Sequence, residues 1–437
     1  MKAALCLTLF SICCFALADC RGQEKPISSE QRSIAHQMLL DVKSELKGAY
    51  YDPTFKGVDL DARFHEAEQL VASAKSFNQA MGAIPWALDA LNDSHTFFIP
   101  PPRDFKHSYG FRMEMVGEDC FITAVRPGSP AEKSGLQAGD KLLRVGNMTP
   151  NRREYSKLAY LLNALRPLPG IHLEVTKPSG ENKIYEFAAM IRQETHLMGP
   201  TDFNKELWDA QSKAALYDRT SKRISDKVLV WKIPAFNTNE KGADSIVNEA
   251  KPYKSVIIDL RGNGGGSVDM LKRLVGDFFD HDFKIGELKA RKPEPVLVAQ
   301  GRGDGAFMGK VFVLIDSNSA SASELFARIL QIEKRATILG DVSAGAVMEA
   351  QFHPLHLGLD RVIFYGVSIT RADITLTDGN SLEHTGVKPD QLILPTAQDL
   401  ALGRDPVLSR AVELAGEKIS PEEAGKLFPV RWPPDFK

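Results

Sequence analysis

Three serines spaced by alanines, Ser319, Ser321 and Ser323, stand in the run NSASASELFARI just ahead of Glu324 and an apolar helical pattern. The preceding run KVFVLID has the length and composition of a buried strand, so the serines fall on a strand-to-helix turn. Free amides and the dipole at a helix start favour a developing negative charge, which suits a serine nucleophile. The same residues also fit a helix cap, because Ser321-Ala-Ser-Glu324 has the spacing of a capping box. A glycine-rich turn lies upstream. SVIIDLRGNGGGSVDM carries a strand into Arg261-Gly-Asn-Gly-Gly-Gly266 and then into a helix. Glycines let backbone amides converge on one point. Phosphate binding is one use of such amides, but the lysine and Ser/Thr of a P-loop are missing. An oxyanion hole for acyl transfer is a second use, and a plain tight turn is a third.

The elements that must position these residues fall into segments. SSEQRSIAHQMLLDVKSELKGAYY, DARFHEAEQLVASA and NQAMGAIPWALDAL have helix-spaced apolar residues, and Ser28 or Ser29 can cap the first. The segment LNDSHTFFIPPPR closes this region, its prolines excluding further helix. From Tyr109 the pattern alternates in strand style through YGFRMEMV and CFITAVRP, then passes a short helix, another strand, a helix over 152–165 and the strands GIHLEVTK and KIYEFAAMI. A polar, helix-prone connector covers 193–225. Beyond it VLVWKI, SVIIDL, KVFVLID and ATILG alternate with SVDMLKRLVGDFF and SELFARILQIEK, the pattern of an α/β domain with a buried sheet over 226–437. A short helix near DPVLSRAVELAG follows.

Composition sets outer limits. The chain has 437 residues, 43% hydrophobic and 25% charged, which suits a globular protein of two or three domains. A formal charge of −2 implies no bulk attraction to nucleic acid or anionic membrane. The first residues, MKAALCLTLFSICCFALADC, read as a secretory signal over 1–18 with cleavage after Ala18, and the apolar run is short for a membrane span. Lipid attachment at Cys20 is the less favoured reading, since Asp19 suits that signal poorly. After cleavage Cys20 and Cys120 remain, and spacing alone does not say whether they pair. His353 and His356 lack a third ligand pattern, so no metal is expected, and the Gly301–Gly305 run GRGDG reads as a loop.

Two resemblances sharpen this reading. The run GSPAEKSGLQAGDKLLRVG strongly resembles a PDZ domain, covering about 106–192. By that resemblance the amides near Tyr109, Gly110 and Phe111 would receive a peptide carboxylate beside an added strand. DLRGNGGG, then NSASASE, then LEHTGVKPD, all after a PDZ domain, resemble the tail-specific, or C-terminal processing, serine peptidases. The resemblance implies an α+β multidomain fold: an N-terminal helical region over 19–105, the PDZ domain, and a C-terminal α/β domain of crotonase-like, spiral form. It makes Ser321 the nucleophile, with an oxyanion hole from Ala322 and either Gly264 or Gly265. The lysine base of the usual members would fall at Ala346, so lysine is missing. The tricorn-core-like branch uses a Ser-His pair instead, which maps to Ser94 and His95 in LNDSHTFF, with a glutamate mapping to Glu383 or, second, Glu349.

The resemblance therefore implies a secreted or periplasmic serine endopeptidase acting on unfolded proteins or peptides, without cofactor, metal or nucleic-acid partner. Two other readings stay open at this stage. One is a carrier of apolar ligands, like the retinoid-binding protein of the photoreceptor matrix; the other is a PDZ scaffold that holds protein tails without cutting them.

Overall fold

A computed structural model of the chain describes residues 26–193, 220–237, 240–358, 362–433 and 436. The signal over 1–18, Cys20 and most of the connector lie outside the described residues. Among the described residues no helix is long and apolar enough to cross a membrane.

Three helices open the fold: Ser29–Ala49, Leu60–Ser73 and Phe77–Asp89. Each starts on a side-chain cap, Ser28 to Gln31 N–H, Asp59 to Ala62 N–H and Ser76 to Gln79 N–H. Such caps satisfy amides that a helix start leaves unbonded. Their apolar faces, including Met38, Leu39, Phe64 and Ile84, do not close on themselves. They pack on Tyr365, Val367 and Ile369 of the strand Ile363–Leu376, near the other end of the chain. The N-terminal region is thus one layer of a core whose sheet comes from the C-terminal part.

That sheet was not foreseen from sequence. It joins Phe97–Ile99, Phe283–Ala290, Leu297–Ala299, Met348–Leu357 and Ile363–Leu376. Two of its strands were masked by proline. Met348–Leu357 contains Pro354 and, among the described residues, pairs only with Ile363–Leu376, so it is an edge strand, where a missing N–H is tolerated. Phe97–Ile99 precedes three prolines and pairs antiparallel with Ser368, Val367 and Gly366. This short pairing brings the Ser94-His95 turn to the C-terminal domain. His353 lies on the first of these strands and its Nδ1 meets Glu45 at 2.8 Å.

The second sheet has six strands, ordered Gln391–Leu392, Ala336–Gly340, Lys310–Ile315, Ser255–Asp259, Val228–Lys232 and Thr220–Arg223. All pairs are parallel except the last. Helices Val268–Gly276 and Ala322–Ile332 cover one face, and Pro406–Leu414 with Pro421–Leu427 cover the other. Burial on both faces explains the unbroken apolar runs of its strands. Both glycine-rich and serine turns leave the C-terminal edges of adjacent strands, Ser255–Asp259 and Lys310–Ile315. Loops at that edge of a parallel sheet are where ligands of open α/β sheets bind.

A five-stranded antiparallel sheet lies between these parts in sequence, in the order Phe111–Val116, Asp119–Val125, Lys141–Val145, Gly170–Thr176, Asn182–Ala188. Cys120 is a free, buried thiol in its core, and burial pushes it up to about 12. Its docking on the parallel sheet rests on polar contacts. Arg152 donates to the carbonyls of Gly117 at 2.5 Å and Val342 at 3.0 Å, and pairs with Asp341. Ser317 Oγ donates to the Met115 carbonyl at 2.7 Å. Asp341 is 7% exposed at its side chain, so losing its cation leaves a buried charge uncompensated. Arg152→Ala is expected to weaken this docking by about 3 kcal/mol, read as faster amide exchange at Gly117 and over 341–343. Unchanged exchange there would show that the two units are held by other contacts.

Candidate active site

The serine turn sorts its three hydroxyls by burial. Ser319 is fully buried and its Oγ lies 2.9 Å from the Leu260 carbonyl. Ser323 is also fully buried and donates to the Asn263 carbonyl at 2.8 Å. Ser321 alone of the three is part-exposed. Its φ of 56° and ψ of −122° lie outside the comfortable regions for a side-chain-bearing residue. Strain of this kind is held by surroundings and gathers at functional sites. The cap reading now meets a specific difference. The Ser321 side chain stands by the N3 amide in capping-box fashion but makes no cap hydrogen bond to it; the Glu324 amide goes to the Ser321 carbonyl at 2.9 Å instead. Glu324 does complete its half, accepting the Ser321 amide at 3.0 Å. The hydroxyl is left to face His95, whose Nε2 stands 3.4 Å from Oγ. Contacts of this length between nucleophile and base commonly tighten when substrate binds.

The other ring nitrogen is fixed by a relay. His95 Nδ1 is 2.7 Å from Ser94 Oγ, and Ser94 Oγ donates to Glu383 Oε2 at 2.8 Å. A serine hydroxyl has one proton, and the carboxylate takes it. Ser94 Oγ must therefore accept from Nδ1–H, which leaves Nε2 bare and turned to Ser321. Glu383 is itself held by the amides of Ser94 at 2.8 Å and Val347 at 2.9 Å. Burial lowers His95 below its ordinary value, against the opposing pull of Glu383 and Asp93, so the neutral ring is favoured. Glu349, the second choice for the glutamate, pairs with Arg371 at 2.9 Å and not with Ser94.

The glycine run closes on the serine turn. A Cβ on Gly265 would stand 2.7 Å from Ser321 Cβ and 2.9 Å from the Ala322 nitrogen, and its φ is +98°. Gly265 is thus required for close approach. Its own amide is already given to Asn263 Oδ1 at 2.8 Å. Of the two glycines read as hole donors, Gly264 is the one without that commitment. Ala322 opens its helix, so its amide has no intrahelical acceptor. In the five-stranded unit, Gly110 N–H meets Ser108 Oγ at 3.2 Å and Phe111 pairs with Val125. Tyr109 is buried, its hydroxyl accepting the Leu168 amide at 2.9 Å.

Two residues of the site were not singled out in the sequence. Asp93 Oδ1 accepts the amides of His95 at 2.9 Å and Thr96 at 3.1 Å and the Thr370 hydroxyl at 2.7 Å. It locks the turn that carries the imidazole. An Asx-turn signal in Asn-Asp-Ser-His was available to find it. Asn263, fully buried, accepts the Ala320 amide on its carbonyl at 2.9 Å while its side chain donates to the Ile233 carbonyl at 2.9 Å. It ties the glycine run to the serine turn, a long-range role without a local signal.

A hydroxyl on a strained strand-to-helix turn, beside an imidazole and free amides, is the arrangement of a nucleophilic serine site. Residues 227–393 match peptidase family S41, and residues 121–166 match a PDZ domain. The chain is 25% identical over 318 residues to a tail-specific protease of Haemophilus influenzae, covering 68% of this chain and 43% of that protein. It is 24% identical over 288 residues to a probable CtpA-like serine protease of Staphylococcus haemolyticus, covering 65% and 52%. In fold it is similar to mature CPAF complexed with lactacystin, with a TM-score of 0.63 and 14% identity over 85% of this chain and 96% of that one. Residues 227–393 are thus a peptidase S41 region with a PDZ region ahead of it, and the chain is similar to tail-specific and CtpA-like serine proteases. It spans about half the length of the first curated relatives it matches.

Proposed function

We propose that this chain is a serine endopeptidase in which His95, not a lysine, is the general base for Ser321. The observation that carries the reading is the Ser321–His95 approach at 3.4 Å, backed by the Ser94–Glu383 relay. His95 Nε2 takes the Ser321 proton as Oγ attacks the scissile carbonyl carbon. The carbonyl oxygen becomes an oxyanion, which the amides of Ala322 and Gly264 stabilise. Collapse breaks the C–N bond, and Nε2 passes its proton to the leaving amine. Water, deprotonated by the same nitrogen, then attacks the acyl-enzyme and releases Ser321. Throughout, Ser94 and Glu383 hold Nδ1–H and stabilise the imidazolium.

Substrates are unfolded proteins or peptides, because an extended backbone must reach Ser321 and can add to the edge strand Phe111–Val116. Residues 1–18 direct the chain out of the cytoplasm, to the envelope or beyond. The test is cleavage of a disordered protein by wild type and by Ser321→Ala at equal concentration. Wild type is expected to cut, with the variant lower by about 10³-fold or more. Equal cleavage would end the peptidase reading at this site. Co-purifying lipid without any cleavage would favour a carrier.

A further inference from the structure

Glu324 is fully buried, yet it is no ordinary helix cap. Its Oε2 accepts the amides of Ser321 and Ala346, both at 3.0 Å. Its Oε1 accepts the Gly345 amide at 2.7 Å and the Ser343 hydroxyl at 2.6 Å. The four donors come from the nucleophile itself and from the segment 343–346. The Ser321 amide also reaches the Ala346 carbonyl at 2.8 Å. The next residue, Val347, donates to Glu383. One carboxylate therefore joins the nucleophile turn to the loop that anchors the relay. We propose that Glu324 is a positioning residue for Ser321, acting as the carboxylate anion that holds the nucleophile turn and the 343–346 loop in register with His95. The inference rests on the serine-peptidase reading.

Only as the anion does the carboxyl keep all four donors. Three of the facing groups are amides, which cannot accept a proton. The fourth, Ser343 Oγ, already accepts the Val387 amide at 2.6 Å. A proton on Glu324 would have to turn the Ser343 hydroxyl away and give up a donor. Among the described residues no charged side chain is hydrogen-bonded to or ion-paired with the carboxyl, whose four partners are the groups above. Burial pushes it up from an ordinary 4.5 to about 7, outweighing the bonds from Ser343, Gly345, Ala346 and Ser321. A carboxyl raised in the folded state favours folding below its unfolded value, and that stability is lost as pH rises through the folded value. Between about 4.5 and 7 the protein should become less stable as pH rises while its activity increases.

The test is the pH dependence of kcat/KM for the full chain on a disordered protein, beside Glu324→Gln. Wild type is expected to show an acid limb near 7, above the limb set by His95, which burial lowers from its ordinary value. Glu324→Gln should lose the upper limb, keep the lower one, and fall in kcat by about a hundredfold through misplacement of the hydroxyl. Its midpoint temperature should no longer change across the wild-type window. An active Glu324→Gln protein that keeps the limb near 7 overturns the role of Glu324 and leaves Ser321 as nucleophile. Inactivity of Ser321→Ala with an unchanged limb in Glu324→Gln is likewise a failure of this inference alone. If Glu324→Gln does not fold, carbon-13 titration of the Glu324 carboxyl in wild type decides. Titration alongside activity supports the role, and titration below pH 5 overturns it.

Discussion

Replacing His95 by alanine is expected to slow cleavage by about 10²–10⁴-fold while leaving the protein folded. The half-buried ring sits on a turn whose backbone Asp93 fixes through the His95 and Thr96 amides, so the turn survives loss of the imidazole. What is lost is the bare Nε2 that receives the Ser321 proton, since no other imidazole or amine is hydrogen-bonded to that hydroxyl among the described residues. The Ala346 position offers only a methyl group and backbone. The loss should appear mainly in kcat, because the imidazole acts on proton transfer and not on holding the peptide. Cleavage by His95→Ala at the wild-type rate would mean that the base lies elsewhere.

Gly265→Ala is expected to be nearly as damaging, though it changes no group that takes part in chemistry. The added methyl would meet Ser321 Cβ at 2.7 Å, the Ala320 carbonyl at 2.9 Å and the Ala322 nitrogen at 2.9 Å. None of these can yield without moving the nucleophile or the amide beside it. Alanine at a φ of +98° adds backbone strain of about 1–3 kcal/mol. Activity should fall by about a hundredfold or more, with a lowered midpoint temperature and an intact circular-dichroism spectrum. An active Gly265→Ala protein would show that the glycine run and the serine turn need not touch.

The sequence by itself determined the local units of this protein. Apolar runs such as SVIIDL and KVFVLID fixed buried parallel strands, because strands covered on both faces read as continuous hydrophobic segments. Helix-spaced apolar residues marked the opening helices, with Ser28 or Ser29 as the cap of the first; the caps at Asp59 and Ser76 appear only in the structure. The glycine run and the alanine-spaced serines could be read as a pair of turns with converging amides. Local pattern did not determine which serine was free, whether Ser321 was a cap, or which glycine amide was already spent. The free serine depends on partners far away in sequence, such as Asn263 to Ser323 and Ser321 to His95, while the cap and the spent glycine amide turn on local geometry at Glu324 and Asn263 that the residue pattern does not report. The tertiary structure also made the second sheet, whose strands around Pro354 and Phe97 look broken until their edge positions are seen. It set Ser94 against Glu383 across 289 residues. Periodicity reports which face of an element is buried; it does not report what is buried against it. A site assembled from four distant segments is decided by that second fact.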